Sequence, residues 1–567
     1  MARKTKSTWI QNLTGGMDQA SDPSLVSNNE SPLLLNVTTD QPGNWATRPG
    51  SDLFWDKISA NPGYGLWSYN KTDGTHKLFA VADRDLFVVD ETTGWGAAVD
   101  TDEWPADTQV NGIDFLNRSY IGSMDGATSL AYTTGSTITD VTVTGDANYK
   151  IGGGVLAVNQ NFLLVGGNSI KPNVLLCSNL PFIDEFFARQ TQTIYGTCSA
   201  NADSNGTGTV VTTAIFFEAN IKGAILYNSN DGAMVTILDW VNAAVPYVKT
   251  DGDTSGWDND KIYVFRHTFK IDGKCTAAIG YGSEFLIWDE QKMYRWNPIT
   301  DVSDDVGNFG CTSYRSVKIV DGIVLWANRE GFWLYNGENL PTNITDKLRD
   351  RVDFYGVWDL ISDSNWGSLA AGVREAQGQY ILSVGTLDTL SGALASALTN
   401  ICIVFDVRKG TLFTSGYQDR FMAFTDFINS TGSKDIYAIG YNDAGIWKLD
   451  TGTTDDDAAG VAQSITVKVY TAHHVTGDPR VANKVANVFL KYRAAATVTL
   501  KISNNRGAYA TYKTIALSTT SKTQQVTPKI NTEGWSHSLG FETTGKFILE
   551  GYDFDVVPQT TLRIPKV

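Results

Sequence analysis

Cysteine is scarce in this 567-residue chain: Cys177, Cys198, Cys275, Cys311 and Cys402 are odd in number, far apart and form no Cys-x-x-Cys pair. That spacing speaks against a disulfide framework or a zinc site and makes each thiol a small buried hydrophobe. Histidine is equally sparse. His473 and His474 would point to opposite faces of a strand, and His76, His267 and His537 stand alone, without a His-Glu-x-x-His or Gly-x-Ser-x-Gly run. No run of about eighteen apolar residues occurs, so no membrane-spanning segment is expected. Met1–Ser7 is charged without a following apolar stretch, so synthesis in the cytoplasm is expected. An excess of basic charge is also missing. With 45 basic and 61 acidic residues the net charge is −16, which disfavours a surface that grips nucleic acid.

What is abundant is turn and aromatic residues: 53 Gly, 23 Tyr, 25 Phe and 16 Trp beside only 6 Met. Such a profile suits many short strands, and the length requires several domains or one large β architecture with an appended module. Hairpins are expected at Lys77–Ala82 with Leu86–Asp90, Val155–Val158 with Phe162–Val165, Ser283–Trp288 with Lys292–Trp296, and Ile323–Ala327 with Gly331–Tyr335. Two more pair Gln379–Val384 with Ile401–Phe405 and Asp435–Gly440 with Gly445–Leu449. Short strands joined by Asn, Asp and Gly turns over so long a span predict an all-β chain built on an irregular β-propeller.

Two departures interrupt that rhythm. Residues 190–265 carry their own short apolar runs and are expected to be a small β-domain inserted within a blade, dividing the propeller into 51–189 and 266–450. Thr451–Gly460 (TGTTDDDAAG) is polar and predicts a solvated linker over 451–462, including Asp455-Asp456-Asp457. Alternating strands beyond it predict a separate C-terminal β-sandwich over 463–567. A short helix is expected over Ile344–Leu360, and Thr386–Asn400, where Leu387, Leu390, Leu394 and Leu398 recur at helical spacing, reads as a packing helix or a blade loop.

Three patterns bear on chemistry. Asp251, Asp253, Ser255 and Gly256 occupy the first, third, fifth and sixth places of a calcium loop, but Ile262 replaces the bidentate Glu, which favours a plain acidic turn. Gly540 to Gly545-Lys546 has phosphate-loop spacing, yet Phe547 stands where Ser or Thr is required, so this too is a turn. Gly152-Gly153-Gly154 precedes a strand and is again a turn. No cofactor and no catalytic residue is expected.

The stretch from Asn12 to Gly50 fits neither helical nor strand periodicity and is expected to be a docking arm over residues 1–50. Gly15-Gly16 permits close backbone approach, Asn36 follows about twenty residues later, and Arg48-Pro49-Gly50 turns into the first apolar run. That order resembles the start of the tail nozzle proteins of short-tailed bacteriophages, the tail tubular protein B family. Asp321–Trp326, Glu330–Gly337 and Asn343–Asp346 are similar to a blade of phage tail propellers. The resemblance implies a non-enzymatic structural protein of the virion tail, assembled in the host cytoplasm. It further implies a self-associated ring, a hexamer, seated on a tail adaptor protein, with tail fibres or spikes as further contacts and genomic DNA passing without specific binding. In such a ring the leucine segment is a candidate gate. Acidity then either repels passing phosphate or serves only solubility. The alternatives are a virion propeller that binds or cleaves polysaccharide, and a tail hub protein.

Overall fold

The computed structural model describes residues 9–21, 25–39, 43–56, 62–90, 94–141, 152–178, 192–193, 198–200, 208–211, 224–228, 233–241, 247–252, 254, 261–265, 268–349, 356–388, 398–442, 444–475, 482–505, 509–516, 518–527 and 532–558. Two compact units emerge: one comprises residues 1–61, 318–426 and 434–567, the other 62–317 with 427–433.

The second unit holds four antiparallel four-stranded sheets in chain order, each an up-and-down blade. Blade 1 is Gly63–Asn70, His76–Ala82, Asp85–Asp90 and Gly94–Asp100. Blade 2 is Val110–Phe115, Arg118–Ser123, Ala131–Thr133 and Ile138–Asp140. Blade 3 is Val155–Asn159, Phe162–Gly166, Val174–Cys177 and Thr268–Lys270, and blade 4 is Ala277–Tyr281, Glu284–Trp288, Met293–Asn297 and Val302–Gly307. Two-residue loops make the tight hairpins. Between the paired residues Phe115 and Arg118, Leu116 and Asn117 have φ of 50° and 62°, the left-handed pair whose twist matches that of the flanking strands.

The expected insertion is found within blade 3, between Val174–Cys177 and Thr268–Lys270, which pair with each other. It is a seven-stranded sheet running from Gln192–Thr193 at one edge to Cys198–Ala200 at the other. The first strands of neighbouring blades lie against one another, close enough that a Cβ on Gly280 of blade 4 would sit 2.2 Å from the Val158 carbonyl oxygen of blade 3. The triple glycine has the same origin: Cβ atoms on Gly152 and Gly154 would meet the backbone of Gly126 and of Ser123-Met124. Arg315, buried in a short 3-10 turn after blade 4, donates to the carbonyls of Tyr64 and Val110, on the first strands of blades 1 and 2 respectively.

The first unit contributes three further blades. Blade 5 is Lys318–Val320, Ile323–Asn328, Gly331–Tyr335 and Thr342–Asn343; blade 6 is Ala370–Arg374, Gln379–Gly385, Ile401–Asp406 and Thr411–Gly416. Blade 7, Phe421–Ile428, Lys434–Gly440 and Ile446–Thr451, takes its fourth strand, Gly50–Trp55, from the N-terminal end of the chain.

Four expectations are corrected. The described residues of the docking arm are not a domain apart: Leu33–Leu35 pairs in parallel with Thr411–Gly416 of blade 6 and antiparallel with Thr466–Tyr470, joining blade and sandwich into one ten-stranded sheet. Nor is the sandwich made from 463–567 alone, because its second sheet runs Val37–Thr38, Trp45–Thr47, Phe547–Pro558, Asn483–Ala494 and Ser518–Val526. Its core packs Leu34, Val37 and the fully buried Trp45 against Val467, Leu490 and Leu549. Residues 451–462 are exposed over much of their length but are not a linker throughout, since Thr454–Asp456 pairs with both Gly50–Trp55 and Ala462–Ser464 and buries Asp455. Over Ile344–Leu360, the described residues form only a 3-10 turn at Thr345–Leu348 in place of a longer helix.

Candidate functional site

The residues that carry the N-terminal motif converge on one buried ion pair. Arg48 (1% exposed) meets Asp455 (3% exposed) through two parallel bonds, Nη1 to Oδ1 at 2.9 Å and Nη2 to Oδ2 at 2.6 Å. Its remaining donors are also used: Nε gives to Asn36 Oδ1 (3.0 Å), Nη1 to the Pro49 carbonyl (2.7 Å) and Nη2 to the Gly416 carbonyl. All five N–H groups of a guanidinium are thereby satisfied, the condition under which a buried charge is tolerated. Burial alone would lower the Arg48 pKa; Tyr417, whose ring lies 4.1 Å beneath the guanidinium, and Asp455 outweigh it, and the pKa is raised.

Local chemistry explains each neighbour. Asn36 adopts φ of 59°, a left-handed conformation that asparagine tolerates, and its amide spans three segments. Its Oδ1 accepts from Arg48 and from the Gly416 N–H (2.7 Å), while Nδ2 donates to the Thr466 carbonyl (2.7 Å). Gly50 is required because a Cβ there would lie 1.8 Å from the Thr454 carbonyl oxygen. Gly15 and Gly16 serve the same close approach: Cβ atoms would lie 2.2 Å from the Asn29 oxygen and 2.6 Å from the Leu412 backbone. The Gly15 carbonyl accepts from Trp45 Nε1 (3.1 Å).

A second charged pair extends the network. The Tyr417 hydroxyl is 3.1 Å from Arg374 Nη2, and Arg374 pairs with Asp450 at 2.6 Å. Both line a groove of about 530 Å³ together with Glu375, Asp426, Lys434 and Asp435. Lys434 holds Glu375 (2.7 Å) and Asp426 (3.2 Å), and Lys448 holds Asp435 (2.7 Å). Burial is the main cause that raises the Asp426 pKa, with Lys434 opposing it. The groove's carboxylates are thus engaged by cations.

Of the calcium candidates, Asp251 accepts from the Thr236 N–H (2.6 Å) and pairs with Lys171 (3.4 Å), whereas Asp253 and Ser255 lie outside the described residues. Burial opposes ionisation of Asp251, but the Thr236 and Lys171 contacts prevail and lower its pKa. Among the described residues, no three His, Cys, Asp or Glu side chains are grouped to hold a metal. Asp251→Ala is expected to cost about 1–3 kcal/mol by orphaning the Thr236 N–H, read as a lower melting temperature that calcium does not restore. In the leucine segment, Leu387 and Leu398 are buried and joined by a main-chain bond of 3.0 Å, while Leu390 and Leu394 lie outside the described residues. Gly545, with φ of 92°, turns between the strands Ser536–Thr544 and Phe547–Pro558, as expected for a turn.

Sequence reasoning missed Asp455 and Tyr417. An arginine followed by Pro-Gly signals a turn, but no local feature points to a carboxylate 407 residues away.

No family model matches the sequence, and no curated protein matches it. Solved structures similar to the chain include virginiamycin B lyase from Staphylococcus aureus, with 8% identity, 69% of this chain and 96% of that one covered, and a TM-score of 0.36. Saccharomyces cerevisiae Sqt1 has 8% identity, covering 70% and 98% at a TM-score of 0.33. The Neurospora crassa Pan2 WD40 domain has 7% identity, covering 69% and 89% at 0.33. The propeller assignment made above stands on the strand order.

Proposed function

We propose that this protein is a structural component of a virion, the nozzle ring of a short phage tail, through which genomic DNA leaves. The observation that carries this reading is the Arg48 node: the residues on which the resemblance rests, Asn36, Arg48, Pro49 and Gly50, are those that tie the N-terminal segment to blades 6 and 7 and to the sandwich. Interlocked sheets of this kind resist deformation, as a conduit under pressure requires. The net charge of −16 supports passage of DNA without capture. Copies would associate side by side around a common channel, six to a ring, on an adaptor protein, with the virion tail as the final location.

Light scattering and negative-stain class averages of the purified chain, with and without the adaptor of its particle, test the proposal. A ring with a central hole, formed alone or on the adaptor, is the expected result; a persistent monomer that binds or cleaves capsular polysaccharide would overturn it. In an assembled ring, changing lumen-facing Asp and Glu to Lys is expected to slow DNA ejection while leaving assembly intact.

A further inference from the structure

Three of the five histidines meet inside the C-terminal sandwich. His474 and His537 are partners across the antiparallel pair formed by His474–Val475 and Ser536–Thr544. His474 Nε2 lies 3.1 Å from the Tyr552 hydroxyl, and its ring stands edge-on to Tyr552 and Phe554 at 5.8 and 5.2 Å. His537 Nδ1 is 2.9 Å from Asn504 Oδ1, which assigns the ring proton to Nδ1. Its Nε2 is buried without a hydrogen bond, in the neighbourhood of the main chain of Asn483 and Gly534. His473 Nδ1 is 3.4 Å from Ser536 Oγ.

Among the described residues, no carboxylate is paired with His474 or His537. Thr471, Tyr509 and Ser538 bond among themselves: Ser538 Oγ gives to the Thr471 carbonyl (2.7 Å) and lies 2.5 Å from the Tyr509 hydroxyl. The nearby carboxylates are committed elsewhere, Glu542 to Lys501 and Tyr470 and Asp553 to the Phe554 N–H. Tyr552 is also the seat of the N-terminal segment, because its main chain exchanges two hydrogen bonds with Ile10, at 2.9 and 3.1 Å.

We propose that this cluster is an acid-sensitive latch: protonating His474 and His537 loosens the Tyr552 seat and frees the N-terminal segment at Ile10 from the sandwich. Two cations on directly opposed residues repel each other, and burial denies His537 water while leaving His474 only partly exposed. Burial is the larger cause and holds both imidazoles at about 4, well below 6.5; His537 adds repulsion at His474, and the main chain of Asn483 and Gly534 opposes the shift at His537. A depressed folded-state pKa leaves stability intact above pH 6.5. The loss accrues as pH falls from 6.5 towards 4 and ends below that.

Hydrogen exchange of the full chain between pH 7.5 and 4.5, corrected for intrinsic rates, tests the latch. Protection at the Ile10 and Tyr552 amides is expected to fall by up to about tenfold per pH unit per histidine below pH 6.5. The blade 1 amides of Leu78 and Val89 should hold theirs, and the H474Q/H537Q variant should lose the slope at Ile10. A flat wild-type profile, or an equal fall in blade 1 marking global unfolding, would overturn the latch. Should the variant not fold, imidazole titration of the wild-type protein by NMR decides: ordinary values near 6.5 for both rings sink the proposal.

Discussion

Asp455→Ala is expected to lower the stability of the unit that contains it by about 3–5 kcal/mol, the usual loss when one partner of a buried ion pair is removed. Arg48 cannot shed its proton, so the variant must hold an uncompensated guanidinium with two donors orphaned in a site that admits almost no water. The Ser51 hydroxyl, which gives to Asp455 Oδ1 at 2.9 Å, loses its acceptor too. Denaturant unfolding followed by hydrogen exchange at residues 50–55 and 454–456 measures the effect. The paired change R48M/D455L removes both charges at similar volume, and its loss should be well below the sum of the single changes. Additive losses would mean that the two residues act independently, against the geometry described.

Gly280→Ala is the second large effect, expected at about 3 kcal/mol or more because overpacking here meets backbone. The new methyl group would overlap the Val158 carbonyl at 2.2 Å and crowd the Asn159 Cβ at 2.9 Å, and neither can turn aside as a flexible side chain would. Gly282→Ala, two residues on, separates sterics from conformation: φ is 60° and no atom lies within 4 Å, so only the left-handed backbone penalty of about 1–2 kcal/mol applies. Thermal unfolding of the two variants should rank Gly280→Ala lower. Equal melting temperatures would remove the close approach of the blade 3 and blade 4 first strands as a source of stability.

The sequence was most legible where structure is local. Alternation broken by a two-residue turn locates Val155–Asn159 with Phe162–Gly166 and Ile323–Asn328 with Gly331–Tyr335 to within a residue or so. The inserted domain was legible as well, since its runs break the blade rhythm between Val174–Cys177 and Thr268–Lys270. The motif glycines were visible as points of close approach, although what approached them was not.

By itself, then, the sequence determined the all-β class, the hairpins and the insertion, because side-chain period and turn chemistry act over a few residues. Only the tertiary structure decided that Thr454–Asp456, within TGTTDDDAAG, is a strand, since an aspartate reads as solvated until its arginine is known, and Arg48 stands 407 residues before Asp455. It likewise decided that His474 opposes His537 and that Leu33–Leu35, Val37–Thr38 and Trp45–Thr47 join the sheets of the C-terminal sandwich. Pairing between distant strands depends on which surfaces each end of the chain must bury, and that demand is written in no single segment.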